Sequence, residues 1–173
     1  MPTTMKLIAK NVLGSNTATV TFSSIPGTGY TDLLIVASIR SSRAAVSDAL
    51  FILFNGNTTL GSGSNVTGRI LTGNGSTATS TALTDNFLCD IGAASATSNT
   101  FGALEIYLPN YAGAANKSFS QTHAYENNAT AAIITAGAHL WSSTAAVTSV
   151  GFDALFGDFA SGSSFFLYGI TKA

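Results

Sequence analysis

Two histidines, His123 and His139, and eight acidic side chains are the groups in this sequence that could move protons. Nucleophilic catalysis needs such a histidine beside an acid and a Ser or Cys. Neither histidine lies in a recognisable catalytic motif, and there is no Gly-x-Ser-x-Gly elbow. Alternation through Ser120-Gln121-Thr122-His123-Ala124-Tyr125 places His123 on a solvated face, and His139 leads into Leu140-Trp141. Glycoside hydrolysis needs two carboxylates across a cleft, and the acids supply many pairs without the sequence selecting one. Glu105 alternates with Ala103 and Tyr107 opposite Leu104, Ile106 and Leu108, so it is expected to point outward from a strand whose other face is core. There is no Cys/His cluster, His-Glu-x-x-His or acidic calcium loop. Gly27 to Gly29, Gly61 to Gly63 and Gly73 to Gly75 lead into no helix that could cradle a phosphate, so they read as turns. The expectation is a chain without enzymatic activity, required metal or cofactor.

Aromatic side chains offer the other chemistry. Trp141, Tyr107, Tyr111 and Tyr125 could stack on sugar rings as a carbohydrate platform, whereas the eleven Phe read as core. For Trp141, where a strand meets a polar turn, a core or subunit contact weighs more than a sugar contact. The lone Cys89, in Phe-Leu-Cys-Asp, reads as a small buried hydrophobe.

What must position these groups is a chain of 173 residues, 46% hydrophobic and only 9% charged, well below the roughly 25% charge of an average soluble domain. The polar surface is built from Ser, Thr, Asn and Gly instead. A formal net charge of −1 leaves no electrostatic footprint for nucleic acid or an acidic membrane surface. Few charges of either sign suit a protein packed against copies of itself or a partner. The N-terminus carries no apolar stretch of the secretory kind, and no run reaches the ~18 apolar residues of a membrane helix, so synthesis in the cytoplasm is expected.

Period-two alternation dominates, beginning with Ala18, Val20 and Phe22. Strands are expected at 6–12, 17–23, 33–40, 50–54, 66–71, 86–91, 101–108, 117–125, 131–140, 147–155 and 163–170, about ten in all, with 72–84 an exposed loop. Asn55-Gly56 reads as a tight hairpin turn. No segment has the caps and charged outer face of an amphipathic helix. The expected fold is all-β: one antiparallel two-sheet β-sandwich over residues 1–173, jelly-roll-like, with residues 1–5 an arm contacting neighbours.

The segments Ile25-Pro26, Tyr30-Thr31-Asp32-Leu33, Phe54-Asn55-Gly56, Phe101 through Tyr111, Leu140-Trp141-Ser142-Ser143 and Phe166-Leu167-Tyr168-Gly169-Ile170 resemble small β-sandwich virion proteins of tailed bacteriophages. Those are head decoration, or cement, proteins and tail-fibre-like proteins. The resemblance implies an oligomeric, often trimeric, virion component with no catalytic residues. With neither a heptad stretch nor a repeat array, the chain fits a cement protein bound to the major capsid protein on the capsid surface better than a complete fibre. The alternative is a host-attachment module on a tail or head fibre, binding surface carbohydrate.

Overall fold

Side chains that alternate between two environments need a backbone that points them alternately to two faces, and here twelve segments do so. The computed structural model describes residues 4–128 and 131–171. In chain order the strands are β1 (Met5–Val12), β2 (Thr19–Phe22), β3 (Asp32–Ile39), β4 (Ser47–Phe54), β5 (Val66–Gly73), β6 (Ala78–Leu83), β7 (Phe87–Gly92), β8 (Gly102–Leu108), β9 (Lys117–Glu126), β10 (Ala132–Trp141), β11 (Val150–Ala154) and β12 (Ser164–Ile170). No described residue is helical.

Eight strands form one antiparallel sheet in the order β1-β12-β3-β8-β9-β10-β5-β6, and four form the opposing sheet, β2-β11-β4-β7. The pairs β1 with β12, β2 with β11, β3 with β8 and β4 with β7 arise when one long antiparallel ribbon folds over on itself. This is the pairing of a jelly roll. Two hairpins interrupt it, β5–β6 between β4 and β7 and β9–β10 between β8 and β11. They join each other through β10 and β5, and join β8 through β9, so they widen one layer from four strands to eight while the other stays at four.

The core lies where the layers overlap. Phe152 of β11 stacks on Phe165 of β12 at 5.6 Å, and Phe159 meets the same ring edge-on at 5.1 Å. Each ring buried this fully contributes about 1.5–3 kcal/mol relative to exposure. At one end Trp141 stacks on Phe54 at 4.9 Å, closing the core beneath β10.

The all-β sandwich matches the sequence expectation, with twelve strands in place of about ten. The main difference is at 72–84, expected as a loop: β5 runs on to Gly73, and Ala78–Leu83 forms the edge strand β6. Residues 78–82 are exposed, so nothing forces apolar residues to alternate there. Pairing with β5 and the turn at Asn74 hold the strand: its Oδ1 accepts from the N–H groups of Ser76 and Thr77 at 3.0 and 2.8 Å. Asn55 and Gly56 do take positive φ, 52° and 73°, but they close no hairpin, because β4 pairs with β7 and β11. The Asn55 side chain instead donates to the Ala146 carbonyl and accepts from Thr148 N–H, both at 2.8 Å. The strand expected at 147–155 shortens to Val150–Ala154. Of the expected N-terminal arm, Met5 already pairs with Ile170, and Thr4 accepts a 2.9 Å bond from Thr171 N–H; residues 1–3 lie outside the described residues.

Two cations hold the loops at either end. Arg40, 8% exposed after the end of β3, donates from Nη1 to the carbonyls of Thr97 and Thr100 at 2.7 and 2.9 Å. Its Nη2 donates to those of Ala94 and Ala96 at 3.3 and 3.0 Å. Lys117, 2% exposed, donates from Nζ to the carbonyls of Gly113 and Ala145 at 2.6 and 2.5 Å. Charge-assisted bonds of this kind contribute more than neutral ones, and truncating the donor strands several carbonyls at once. Arg40→Met is therefore expected to lower the unfolding free energy by about 3 kcal/mol, read from the shift in denaturant midpoint at unchanged slope.

Candidate functional site

The outward face of the eight-stranded sheet can be read row by row from the strand register. One row crosses every strand: Ser80, Leu71, Ala136, Thr122, Glu105, Val36, Phe166 and Lys10. The row on one side runs from Ala78 through Ile134, Ala124 and Ala103 to Val12, and that on the other from Ala82 through Arg69, Ala138, Ser120 and Tyr107 to Leu7. Lys10, Glu105 and Arg69 are the only charged side chains in these three rows. Leu71 and Ile134 stand 61% and 58% exposed beside the small residues of β9 and β10. The result is a broad, nearly uncharged face with an apolar content unusual for solvent.

Strand β9 shows how that face arises. Its inward side carries Lys117, Phe119, Gln121, His123 and Tyr125, and its outward side Ser118, Ser120, Thr122 and Ala124. Period two is obeyed, but size rather than polarity decides which side goes in. His123, expected on a solvated face, is accordingly 1% exposed. Its ring lies against Gly102, where an added Cβ would stand 2.5 Å from Nε2. His139 lies over Gly68 and Gly137, where added Cβ atoms would each stand 2.4 Å from a ring nitrogen, and stacks on Phe119 at 4.9 Å. Neither nitrogen of His139 has a hydrogen-bond partner among the described residues. His123 makes no hydrogen bond of good geometry either, although the Asp90 main chain is near enough to oppose its shift weakly. Burial lowers both imidazoles to about 4, so both are neutral at physiological pH.

The aromatic platform is not assembled. Tyr111 is fully buried, with its hydroxyl donating to the Pro26 carbonyl, and Trp141 is 7% exposed under Lys117. Tyr107 sits on the outward face and donates to Asp32 Oδ2 at 2.8 Å. Tyr125 is on the opposite, inward face, 8% exposed. Glu105 points outward as expected. Cys89 is buried, and its thiol is pushed well up, first by burial and then by Asp90. Among the described residues no three His, Cys, Asp or Glu side chains gather as a metal site.

No family model, curated protein or solved structure matches this chain. A shallow depression of ≈600 Å³ beside Tyr30 and Asn110 contains Asp32, whose two carboxylate oxygens already accept from Tyr107 Oη and Asn110 N–H. A second hollow opens on the inward side. Edge strand β7 of the small sheet lies over β9, tied to it by Gln121 Nε2 donating to the Leu88 carbonyl at 3.2 Å. Beyond that edge β10, β5 and β6 overhang, leaving a cleft of ≈320 Å³ lined by Thr72, Thr79, Thr81, Thr135, Asp90 and Tyr125, with Ile70, Ile133 and Phe87 among its apolar walls. The sequence reading missed it because β6 itself was missed.

The buried histidines fix a pH dependence. With folded values near 4 against about 6.5 unfolded, the unfolded chain binds more protons in acid, so stability is full above about pH 6.5 and is lost as pH falls toward 4. Each histidine is expected to remove about 3 kcal/mol across that window. Asp90, with its carboxyl pushed up chiefly by burial, offsets part of the loss at the lower end. Denaturant titrations at pH 7.5, 6 and 5 should show falling midpoints, and His139→Gln should remove roughly half of the fall whatever it does at pH 7.5.

Proposed function

We propose that the chain is a structural protein of a tailed-bacteriophage virion, a cement protein that lays the outward face of its eight-stranded sheet on the major capsid protein and stabilises the shell. On this reading it is made in the host cytoplasm, acts at the capsid surface as a homo-oligomer of three copies, and performs no catalysis. The observation that carries it is the outward face. Eight strands spaced ~4.8 Å apart and three rows of side chains span roughly 35 by 20 Å, about 700 Å². A standard interface buries about 800 Å² per partner, so the face alone is nearly sufficient.

Its composition suits permanent attachment. Ala103, Ala124, Ala136 and Ala138, with Ser118 and Ser120, lose little side-chain entropy on burial and let a partner approach closely. Leu71 and Ile134 provide apolar area that water would otherwise cover. A non-catalytic role is supported by the fate of the proton-moving groups: His123 and His139 are neutral beneath the sheet, and Asp32 and Asp48 are bound to neighbouring hydroxyl and N–H groups.

With so few ion pairs to screen, attachment is expected to survive a wash in about 1 M sodium chloride, where the Debye length is ~3 Å, and to fail in mild denaturant. Ala136→Arg, which puts a charge in the middle of the face without touching the core, should abolish retention on capsids. Complete release by salt alone from intact capsids, or undiminished retention of Ala136→Arg, would show that another surface does the docking.

A further inference from the structure

The cleft on the other side of the same sheet combines an unusual set of groups. Register places Thr79, Thr72 and Thr135 side by side on β6, β5 and β10, and Thr81 lies two residues along from Thr79. None of these four hydroxyls has a hydrogen-bond partner among the described residues. Thr135 is only 3% exposed, so its hydroxyl sits deep in the hollow. Facing the threonines from the edge of the small sheet is Asp90, open to solvent on one side and without a salt bridge. Ile70, Ile133 and Phe87 supply apolar wall between the polar groups.

We propose that this cleft binds one ring of a neutral saccharide. Strand neighbours lie ~4.8 Å apart, about the spacing of ring hydroxyls on alternate carbons, so the threonine row can exchange hydrogen bonds with alternate hydroxyls of a pyranose. Each Thr hydroxyl both donates and accepts, matching the double character of a sugar hydroxyl, and the Asp90 carboxylate can accept from a vicinal pair. The Ile and Phe wall suits the C–H face of the ring. A volume of ≈320 Å³ is at the lower end of ligand pockets, room for a single ring rather than an oligosaccharide. No Lys or Arg lines the cleft, which excludes an anionic ligand such as a phosphate or sialic acid. One carboxylate among four neutral hydroxyls favours a neutral polyhydroxyl ligand over an organic cation, which the cationic probe below tests directly. This inference goes beyond capsid attachment, because cleft and docking face lie on opposite sides of the sheet and both can be occupied at once.

The test is saturation-transfer NMR on the full chain with D-glucose, D-galactose, D-mannose and N-acetyl-D-glucosamine, each at about 10 mM, with n-butylammonium as a cationic probe. At least one sugar is expected to bind with a dissociation constant in the millimolar range. Thr79→Trp, on the exposed edge strand, fills the cleft and should abolish the signal. Asp90→Asn should weaken binding at least tenfold, and both variants should keep the parent melting temperature. Capsid retention should be unchanged in both, so failure of this proposal is distinguishable from failure of the docking reading. Absence of transfer to all four sugars, undiminished transfer to Thr79→Trp, or binding of n-butylammonium in place of the sugars would overturn it.

Discussion

Eight strands hydrogen-bonded in one layer present about twice the inner surface that four strands in the opposing layer can cover, and most of what is particular to this chain follows from that mismatch. A jelly-roll ribbon folded on itself gives equal layers. Here two inserted hairpins add all their strands to one side, because β9 continues the β8 edge and β5 then continues the β10 edge. The extension must be satisfied at its backbone by its own ladder and at its inner face by whatever it can find. Near β9 it finds β7; beyond β9 it meets the small sheet at one end, where Trp141 stacks on Phe54, and the rest opens as the cleft. Threonine is the side chain that tolerates this position best: its β-branch favours the strand, its methyl can face apolar neighbours, and its hydroxyl can face water or a ligand.

Scarcity of charge is the second constraint, and it shapes how the loops are fixed. The single ion pair among the described residues, Arg43 with Asp48, is long at 3.8 Å. Arg40 and Lys117 instead spend their charge on main-chain carbonyls at opposite ends of the sandwich. Such contacts leave the guanidinium and ammonium with no carboxylate partner, so their worth lies in ordering several loop carbonyls at once. Only Lys10, Glu105 and Arg69 remain on the broad face, where each unpaired charge would have to be desolvated on docking.

Much of this was legible in the sequence and some was not, for identifiable reasons. Strands such as β8, where Leu104, Ile106 and Leu108 alternate with Ala103, Glu105 and Tyr107, are read correctly because the aliphatic residues all fall on one side. In β9 polarity and size disagree, and the sequence favours the wrong side for His123; only the need to fill the interlayer space sends Gln121, His123 and Tyr125 inward and leaves serines outside. Asn55-Gly56 and Asn74-Gly75 are the same dipeptide, yet only the second closes a hairpin. The first ends a core strand whose neighbours come from distant parts of the chain, a fact that no local signal contains. The aromatic platform fails for a related reason: Tyr111 and Trp141 are more valuable as fillers of the sandwich ends than as exposed stacking faces.

The edges of the sheets face a constraint of their own. An exposed edge strand invites pairing with another chain unless something blunts it. Strand β1 carries Lys6 and Lys10 and a register shift between Leu7 and Ala9, and β2 is only four residues long. At the other end β6 has no charge, no proline and no register shift, only Ala, Thr and Ser with Leu83 at its end. Its protection has to be of another kind. Hydroxyl-bearing side chains on both faces keep water close to the open N–H and C=O groups, and the strand spans six residues beside a tight turn at Asn74. Two of those hydroxyls, on Thr79 and Thr81, also line the cleft, so solubility of the overhang and recognition of a polyhydroxyl ligand share these side chains. Replacing them with apolar residues would damage both properties together.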